Sequence, residues 1–424
     1  MQKDALSSLL KELKFHLTKE LLPFWLTRIQ DQQNGGYITH FDKEGKDTGE
    51  NEKSLIAQTR SLFTLSSASR YGYEVEKTRE LARFGFDFLI KYLWDDLHGG
   101  FFWMVDREGK ILKDDKVLYG QSFAIYSLAE YTLSTGDPRG LQYAEKLFDL
   151  IRNYCWDPVH GGYFEMFDVQ WRVAGAGSKG GDRKTLDVHM HLMEAFTHLY
   201  DCSRKPKHRA ALEEIIDLLD KKILHPVYRT GIPQFTPDWK VAAQIKFDII
   251  WGWDRYADGD KKAHAEDNTA YGHNAEFAWL LIHALKVLDK EDSYFKGTLK
   301  TVFDHTVENG IDWEYGGVYV EGPHTGGVYD REKEFWQQAE VMIGMLDAYI
   351  RFGDPRYLEA YVNVHRFVFD KMINHPVGEW WPLLTREGIP VWTHMSHSWK
   401  VNYHTVRCLI QCIQRMEYLV VQNT

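Results

Sequence analysis

The feature of this sequence that most restricts its fold is a glycine-rich, aromatic segment that recurs along the chain. Three clear copies read NGGYITHFDKEGK from Asn34, HGGFFWMVDREGK from His98 and HGGYFEMFDVQWR from His160. Three weaker copies read TGIPQFTPDWK from Thr230, YGGVYVEGP from Tyr315 and VGEWWPLLTREG from Val377. Their first glycines stand at 35, 99, 161, 231, 316 and 378, in steps of 64, 62, 70, 85 and 62 residues. Such a period indicates a chain of six similar structural units.

Each copy predicts a short β-hairpin, and the stretches between copies predict helices. Glycine permits a tight turn, alternating aromatic residues suit a two-faced ribbon, and Asp or Gly closes the hairpin. The stretches GQSFAIYSLAEYTLSTG, NAEFAWLLIHALKVLD and AEVMIGMLDAYIRFGD place apolar residues at helical spacing. GDPR follows two such helices, at Gly136 and Gly353, where glycine ends one helix and proline helps to start the next.

Six helix pairs can form either an open solenoid or a closed ring. Solenoids need capping repeats, whereas a ring needs none and leaves a funnel at its centre. We therefore predict an all-α, single (α/α)6 barrel, a six-hairpin toroid with short β-hairpins at one mouth, formed by residues 1–424 as one catalytic domain. The step of 85 residues contains Trp251 to Ala270, which we interpret as an inserted loop.

Charge and cysteine content restrict the partners and the compartment. The net charge of −10 argues against nucleic acid and anionic membranes, which both require basic patches. The four cysteines form no CxxC pair, the N-terminal region carries charges throughout, and no run of 18 apolar residues occurs. We predict a cytoplasmic monomer or homodimer with no nucleic acid or membrane partner. The aromatic content of 14% suits either a carbohydrate-binding surface or a large aromatic core.

Polar and aromatic side chains recur near the start of the long apolar helix in every unit. A sixfold arrangement would bring them to one mouth. Taken singly, each has an ordinary structural explanation, such as a surface contact between His273 and Glu276, which share a helix face, or an ion pair at Arg60. Their equivalent positions favour one functional site instead. The recurring residues are Gln58, Thr59, Arg60, Tyr119, Gln121, Asp187, His189, His191, Glu194, His273, Glu276, Trp279, Trp336, Glu340, His397, Trp399 and His404.

The familiar metal and cofactor motifs are missing. On a helix, His189 and His191 point about 200° apart, so only one can face the funnel and the two cannot chelate one metal. The sequence has no HExxH and no paired CxxC. The glycine-rich stretch GAGSKGGDR, residues 175–183, lacks the GK[ST] ending of a phosphate loop, and no dinucleotide fingerprint occurs. We predict neither a metal nor a cofactor.

The stretches TLDVHMHLMEAF, YGHNAEFAWLL, FWQQAE and WKVNYH, taken together, resemble the N-acylglucosamine 2-epimerase superfamily over essentially the whole chain. That superfamily includes cellobiose 2-epimerases, mannose 2-epimerases and mannose isomerases, and its fold is an (α/α)6 barrel. The resemblance implies that His273 and His404 act as acid and base on the sugar and that His191 serves ring opening. It also implies that Arg60 lies near the reacting oxygens, that Glu276 and Glu340 orient the histidines, and that Trp336 and Trp399 pack on the sugar. From their positions in the repeat, we add Asp187 and Trp279 to the predicted substrate-binding residues.

Departures from the family pattern bear on the substrate. Asp187 stands where cellobiose-acting members usually have Asn, and Val401-Asn402 stands where they have Cys-Pro. With the long inserted loop, these differences favour a cleft for one hexose. We predict that D-mannose and D-glucose are interconverted at C2. The alternatives are a cellobiose 2-epimerase acting on the reducing-end glucose, a mannose–fructose isomerase, a glycoside hydrolase that uses Glu276 and Glu340, and a non-catalytic sugar-binding module.

Overall fold

The computed structural model describes residues 3–245, 247–249 and 266–422, and most of them are helical. Most of the predicted inserted loop, residues 251–265, lies outside the described residues. The helices are α1 (Lys3–Phe15), α2 (Leu22–Arg28), α3 (Leu55–Arg70), α4 (Val75–Phe88), α5 (Leu118–Thr135), α6 (Pro138–Tyr154), α7 (Leu186–Ser203), α8 (Pro206–Leu218), α9 (Tyr271–Val287), α10 (Lys296–His305), α11 (Phe335–Phe352), α12 (Pro355–Phe367) and α13 (Tyr403–Gln422).

Short π-helical turns extend several of these helices, and the strands are only two or three residues long. The π-helical turns are His16–Leu21, Leu89–Leu93, Leu219–Ile223, Thr306–Gly310 and Val368–Met372. The strands are β1 (Glu52–Ser54), β2 (Met104–Asp106), β3 (Ile111–Lys113), β4 (Lys116–Val117), β5 (Met166–Phe167), β6 (Lys184–Thr185), β7 (Gln234–Phe235), β8 (Thr269–Ala270), β9 (Glu321–Gly322), β10 (Lys333–Glu334), β11 (Ile373–Asn374), β12 (Glu379–Trp380), β13 (Leu383–Leu384) and β14 (Pro390–Trp392).

The long helices fall into two classes by burial. Helix α5 is buried without a break from Leu118 to Tyr131, whereas α6 buries only one face. A continuously buried helix needs neighbours on every side, and an amphipathic one covers the core from outside. We call α3, α5, α7, α9, α11 and α13 the inner helices, and α1, α4, α6, α8, α10 and α12 the outer helices.

The inner helices contact one another in chain order. Helix α3 packs against α5, α5 against α7, α7 against α9, α9 against α11, α11 against α13, and α13 against α3. Behind them, α4 packs on α3, α6 on α5, α8 on α7, α10 on α9, α12 on α11 and α1 on α13. Each inner helix therefore has an inner neighbour on both sides and an outer helix behind it. The buried hydrophobic side chains form one cluster that extends from Leu6 to Leu419.

The helix boundaries predicted at the two GDPR segments are confirmed. Gly136 and Gly353 end α5 and α11 with left-handed φ angles of 73° and 68°. Asp137 and Asp354 then cap α6 and α12, because each side chain accepts the backbone N–H two residues further on. Proline occupies the first turn of both outer helices, where its missing N–H is not needed.

Each glycine-rich copy forms an antiparallel ribbon around its turn, as the sequence predicts. The six ribbons are held by the pairs Phe41–Asp47, β2–β3, Phe167–Val173, Phe235–Val241, Glu321–Asp330 and β13–β14. Each ribbon also pairs with the strand that precedes the inner helix of the unit before it. These second pairings are β1–β2, β4–β5, β6–β7, β8–β9, β10–β13 and, between the last and the first unit, Ser396–Phe41. The ribbons thus join every unit to the next.

Two tryptophans strengthen these junctions. Trp171 and Trp239 occupy ribbon turns with left-handed φ angles of 64° and 66°, a conformation that costs a non-glycine residue on the order of 1–3 kcal/mol. The Trp171 indole N–H donates to the His98 carbonyl at 3.2 Å, and its ring fills the space that a Cβ on Gly100 would need. Trp239 covers Gly162 in the same way. At these two junctions, Gly100 and Gly162 are therefore required, because the indole of the next unit leaves no room for a Cβ.

A buried lysine precedes five of the six inner helices and pairs with a carboxylate just before, or within, the glycine-rich copy of its own unit. Before α9, the equivalent lysine position is taken by Thr269, and the equivalent carboxylate position by His225. In that unit the Thr269 hydroxyl instead donates to the Gly231 carbonyl, and His225 accepts the backbone N–H groups of Val227 and Tyr228. The five ion pairs, with their N–O distances, are Lys53–Asp31 at 2.9 Å, Lys116–Asp95 at 2.9 Å, Lys184–Asp157 at 2.7 Å, Lys333–Asp312 at 3.1 Å and Lys400–Glu379 at 3.3 Å.

Replacing one of these lysines is expected to lower stability strongly. In Lys116→Thr, the Asp95 carboxylate keeps its backbone bonds but loses its cation, which for a buried pair costs about 3–5 kcal/mol. Urea unfolding measures the loss. The control is Lys113→Thr on the exposed strand β3, which should change stability by less than about 0.5 kcal/mol. The double variant Asp95→His/Lys116→Thr copies His225 and Thr269 of the unit that contains α9, and it should recover part of the lost stability. No recovery would contradict the explanation that the unpaired carboxylate causes the loss.

None of the helices in the described ranges is both long and apolar enough to cross a membrane. All four cysteines are free thiols, and Cys155, Cys408 and Cys412 are buried in the core. Burial raises the pKa of the Cys155 thiol, which keeps it protonated.

Candidate active site

The inner helices direct equivalent positions of the six units toward one centre. Counted from the buried lysine, or from Thr269 before α9, the seventh residue falls on the inward face of every inner helix. The guanidinium carbon of Arg60 lies 4.6 Å from the Phe123 ring, which in turn lies 4.7 Å from the His191 ring. The six residues at this position, in chain order, are Arg60, Phe123, His191, Glu276, Glu340 and Arg407.

His404 is held by a carboxylate beneath it. Its Nδ1 lies 2.7 Å from Glu340 Oε1, and Trp279 donates its indole N–H to the other oxygen of Glu340 at 2.9 Å. Burial lowers the pKa of His404 to about 3, so the imidazole is neutral near pH 7. Because an ionised carboxylate only accepts hydrogen bonds, Nδ1 carries the proton and Nε2 keeps a free lone pair. His404 is therefore arranged to accept a proton through Nε2.

His191 has the same arrangement on α7. Its Nδ1 lies 3.0 Å from Glu194 Oε2, and the Tyr403 hydroxyl donates to Glu194 at 2.9 Å. Burial lowers the pKa of His191, and its ring packs against Phe123 and Tyr119 at 4.7 and 5.1 Å. Its Nε2 is likewise left as an acceptor.

The neighbouring His189 turns away from this centre. Its Nδ1 lies 2.7 Å from the Thr185 carbonyl, and its Nε2 accepts the backbone N–H of Tyr163 in a ribbon at 3.1 Å. Burial lowers its pKa to about 3. The prediction that only one histidine of the HMH motif faces the centre is confirmed, and His189 serves to attach the ribbon to α7.

His273 is the most accessible of the three predicted catalytic histidines. Its side chain is 21% exposed, against 8% for His404. Its Nε2 lies 3.4 Å from the Asp187 carboxylate, and its ring lies 4.5 Å from Trp336. Trp336 also lies 5.9 Å from the His404 ring. One indole therefore borders both imidazoles, which come from different helices.

Arg60 is enclosed by aromatic side chains. It donates to the Trp399 carbonyl at 2.9 Å and to the Tyr119 hydroxyl at 3.0 Å. Trp399 stacks on Tyr119 with ring centroids 5.1 Å apart. Guanidinium groups are held well by aromatic faces, and the Arg60 Nε–H has no hydrogen-bond partner within the described ranges. The arrangement fixes a cation beside an aromatic wall.

Arg407 is a central residue of the site that the sequence reasoning missed. Its guanidinium donates to Glu194 at 2.5 Å, to Glu276 at 2.8 Å and to Glu340 at 2.7 Å. The residue is 3% exposed. A signal was present, because Arg407 follows His404 by three residues and stands between apolar residues that are buried. Its repeat position is also that of Glu276 and Glu340.

Glu276 does not lie where the family resemblance suggested. It contacts Arg407 rather than orienting His273, which pairs with Asp187 instead. Burial and the nearby Glu340 raise the pKa of Glu276 well above its usual value. Donor atoms of Glu276, Glu340 and His404 lie within 4.8 Å of one another, as metal ligands would. Since Arg407 already donates to both carboxylates, this donor set fits a guanidinium.

Comparison with known proteins identifies the family of this chain. The sequence model of the N-acylglucosamine 2-epimerase family matches residues 36–408. A cellobiose 2-epimerase from Bacteroides fragilis is 28% identical over 95% of this chain and 98% of its own length. A D-mannose isomerase from Marinomonas mediterranea is 23% identical over 95% of this chain and 97% of its own.

Among solved structures, the cellobiose 2-epimerase of Spirochaeta thermophila is 30% identical and superposes with a TM-score of 0.85. The match covers 98% of this chain and 98% of that one. The family model and these relatives agree over nearly the entire sequence. The chain belongs to the N-acylglucosamine 2-epimerase family, whose members are carbohydrate epimerases and isomerases.

Proposed function

We propose that this chain interconverts D-mannose and D-glucose by inverting C2. The observation that carries the proposal is the pair of imidazoles, His273 and His404, whose rings lie 4.5 and 5.9 Å from the Trp336 ring. Inversion at C2 requires a base on one face of the carbon and an acid on the other. An imidazole can take and give a proton near neutral pH, so two of them bordering one sugar-sized aromatic face suit this reaction.

The reaction begins with opening of the sugar ring, which moves a proton from O1 to O5. In the proposal, His191 serves this step, because Glu194 holds its Nδ1 and leaves Nε2 as an acceptor. One histidine then removes the proton from C2 and an enediolate forms. Arg60 stabilises the negative charge that develops on the sugar oxygens. Return of a proton from the opposite histidine inverts the carbon.

Trp336 and Trp399 are proposed to pack on the sugar, and Asp187 is proposed to meet its hydroxyl groups. Trp336 is half-buried and Asp187 is 32% exposed, so both can reach a bound molecule. Trp279 and Glu340 lie beneath this surface, where they hold His404. Their part is to position His404.

Cellobiose is the second candidate substrate. It is supported by two relatives named cellobiose 2-epimerase, at 28% and 30% identity over almost the entire chain. An aldose–ketose isomerase is a third candidate, since one relative is named D-mannose isomerase. That reaction differs only in returning the proton to C1 of the same enediolate. Asp187 and the length of the segment from Trp251 to Ala270 support the single hexose.

The test is incubation with mannose, glucose or cellobiose in deuterated water, followed by NMR. Deuterium at C2 with conversion of mannose to glucose supports the proposal. Fructose signals would favour the isomerase, and clear preference for cellobiose would replace the hexose by the disaccharide. Absence of C2 exchange with all three sugars would overturn the proposal.

The architecture completes the proposal. We propose that the six helix pairs close into an (α/α)6 barrel and that residues 1–424 form one domain. Support comes from the contact of α13 with α3 and from the Ser396–Phe41 pair between the last and first units. We also propose a cytoplasmic monomer or homodimer that binds a small sugar and needs no cofactor.

A further inference from the structure

We propose that Arg407 is a positioning residue that holds two histidine–carboxylate pairs at once and thereby couples the protonation of His191 to that of His404. The two pairs are His191–Glu194 on α7 and His404–Glu340 between α13 and α11. The inference deepens the proposed function, because it assigns the control of protonation at that site to one residue that no motif pointed to.

The geometry of the guanidinium carries the first step. One terminal nitrogen of Arg407 donates to Glu194 and to the Tyr403 hydroxyl, and the other donates to Glu276 and Glu340. The planar fork of arginine can serve several carboxylates in fixed directions, which the single ammonium of lysine cannot do. Both carboxylates behind the histidines therefore depend on the same cation.

The packing around Arg407 fixes this arrangement. The guanidinium carbon lies 4.1 Å from the Tyr403 ring and 4.9 Å from the Trp279 ring. Glu194, Glu276 and Glu340 are each no more than 2% exposed. At positions so well buried, a charge is stabilised by its hydrogen-bonding partners rather than by water. A change in the charge of one carboxylate therefore alters the electrostatic environment of the other through Arg407.

Charge balance carries the second step. Burial and Glu340 raise the pKa of Glu276 well above its usual value, so its neutral form is favoured. Burial alone would raise the pKa of Glu194 and of Glu340, but Arg407 and the histidines lower both. Arg407 and Arg60 both disfavour a positive charge on His404. A proton added to one imidazole therefore makes a proton on the other less favourable, because both would add positive charge to the same buried centre.

Titratable or charged groups from all six inner helices face this centre, including the two histidine–carboxylate pairs themselves. Any titration must be interpreted against them, and variants at Arg407 leave them in place. They are Arg60 on α3, Tyr119 and Tyr126 on α5, Asp187, His191 and Glu194 on α7, His273 and Glu276 on α9, Glu340 on α11, and Tyr403, His404 and Cys408 on α13.

The test replaces Arg407 and follows the imidazole NMR signals of His191 and His404 with pH, together with the pH profile of C2 exchange. In Arg407→Met the cation that disfavours imidazolium is gone, so His404 should titrate at least about one pH unit higher. The acid limb of the kcat profile should move upward with it. We expect kcat to fall about tenfold or more with a smaller change in KM, since the sugar-facing groups remain.

Two further variants keep the test decisive. Arg407→Gln retains an amide donor and is the substitute should Arg407→Met fail to fold. Arg407→Lys keeps the charge but reaches fewer carboxylates, so its titration should stay closer to that of the unchanged protein while kcat falls. The matched control is Arg415→Met on the same helix, which breaks a pair with Asp347 at 2.8 and 2.7 Å and should leave both titrations in place.

The outcomes separate this inference from the proposed function. Folded Arg407→Met or Arg407→Gln protein in which both imidazoles titrate as before would overturn the role of Arg407. Independent titration of His191 and His404 in the unchanged protein would overturn the coupling. If no sugar exchanges its C2 proton but the imidazole titrations shift as expected, the proposed function fails and the role of Arg407 stands.

Discussion

Replacing His273 or His404 by asparagine is expected to abolish epimerisation, with a loss of about a thousandfold or more. Asparagine retains hydrogen bonding and similar size but cannot carry the proton between C2 and solvent. Both residues lie at the edge of the core, with side chains 21% and 8% exposed, and both helices are anchored by other contacts. The fold should therefore survive, which circular dichroism and thermal unfolding would check.

The two variants should differ in one informative way. If each histidine serves one face of C2, each variant can still remove and return the proton on the face that keeps its imidazole. We expect deuterium to enter one sugar epimer in His273→Asn and the other in His404→Asn, with no inversion in either. NMR in deuterated water measures this directly. His160→Asn, at an exposed ribbon position, is the control and should behave as the unchanged protein. Near-normal epimerisation by either site variant would refute the assignment.

Replacing Arg60 by methionine is expected to have the second largest effect, with kcat lower by about a hundredfold to a thousandfold. Removal of one donor to a developing oxyanion typically costs about 2.7–4 kcal/mol of transition-state stabilisation. Methionine fills much of the same aromatic enclosure, formed by Tyr119, Phe123 and Trp399. The loss should therefore appear in kcat more than in KM.

Two further variants test whether the loss of kcat in Arg60→Met arises at the oxyanion. Arg60→Lys keeps the charge but not the fork that holds the Trp399 carbonyl and the Tyr119 hydroxyl, so it should recover only part of the rate. Arg70→Met, at the far end of the same helix, breaks a pair with Glu130 and should lower stability without changing kcat. Equal losses of rate in Arg60→Met and Arg70→Met would indicate a general effect on α3 rather than a role at the oxyanion.

The six ribbons and their intervening helices could be predicted from the sequence because each depends on local chemistry. Glycine pairs, alternating aromatics and GDPR segments specify turns and helix ends within a few residues. The pairing of each ribbon with the unit before it could not be found this way. In β4–β5, Lys116 meets Phe167 across about fifty residues, and nothing near either residue records the contact. Trp171 and Trp239 also obscure the repeat, because they replace the glycine expected in the ribbon turn.

In the site, too, features within one helix could be predicted from the sequence, whereas contacts between helices could not. Histidines, tryptophans and carboxylates at equivalent positions could be identified as a group, and the geometry brings them together. The partners of each residue could not be identified, since they come from other helices. His273 meets Asp187 rather than Glu276, which is only three residues away on its own helix. Arg407 was missed because α13 also carries other polar residues such as Arg415, and only its contacts with three distant glutamates distinguish Arg407 from them.

The ribbons join the units, whereas the inner helices carry the residues of the site. This arrangement has a consequence for how such a chain can evolve. Extra residues placed in a ribbon or between a ribbon and its helix do not alter the spacing within an inner helix. The step of 85 residues between the first glycines at 231 and 316 is an instance. Despite this added length, His273 and Glu276 keep the register of His404 and Arg407. New substrate preferences can therefore arise by lengthening these connections, while the residues of the inner helices keep their spacing.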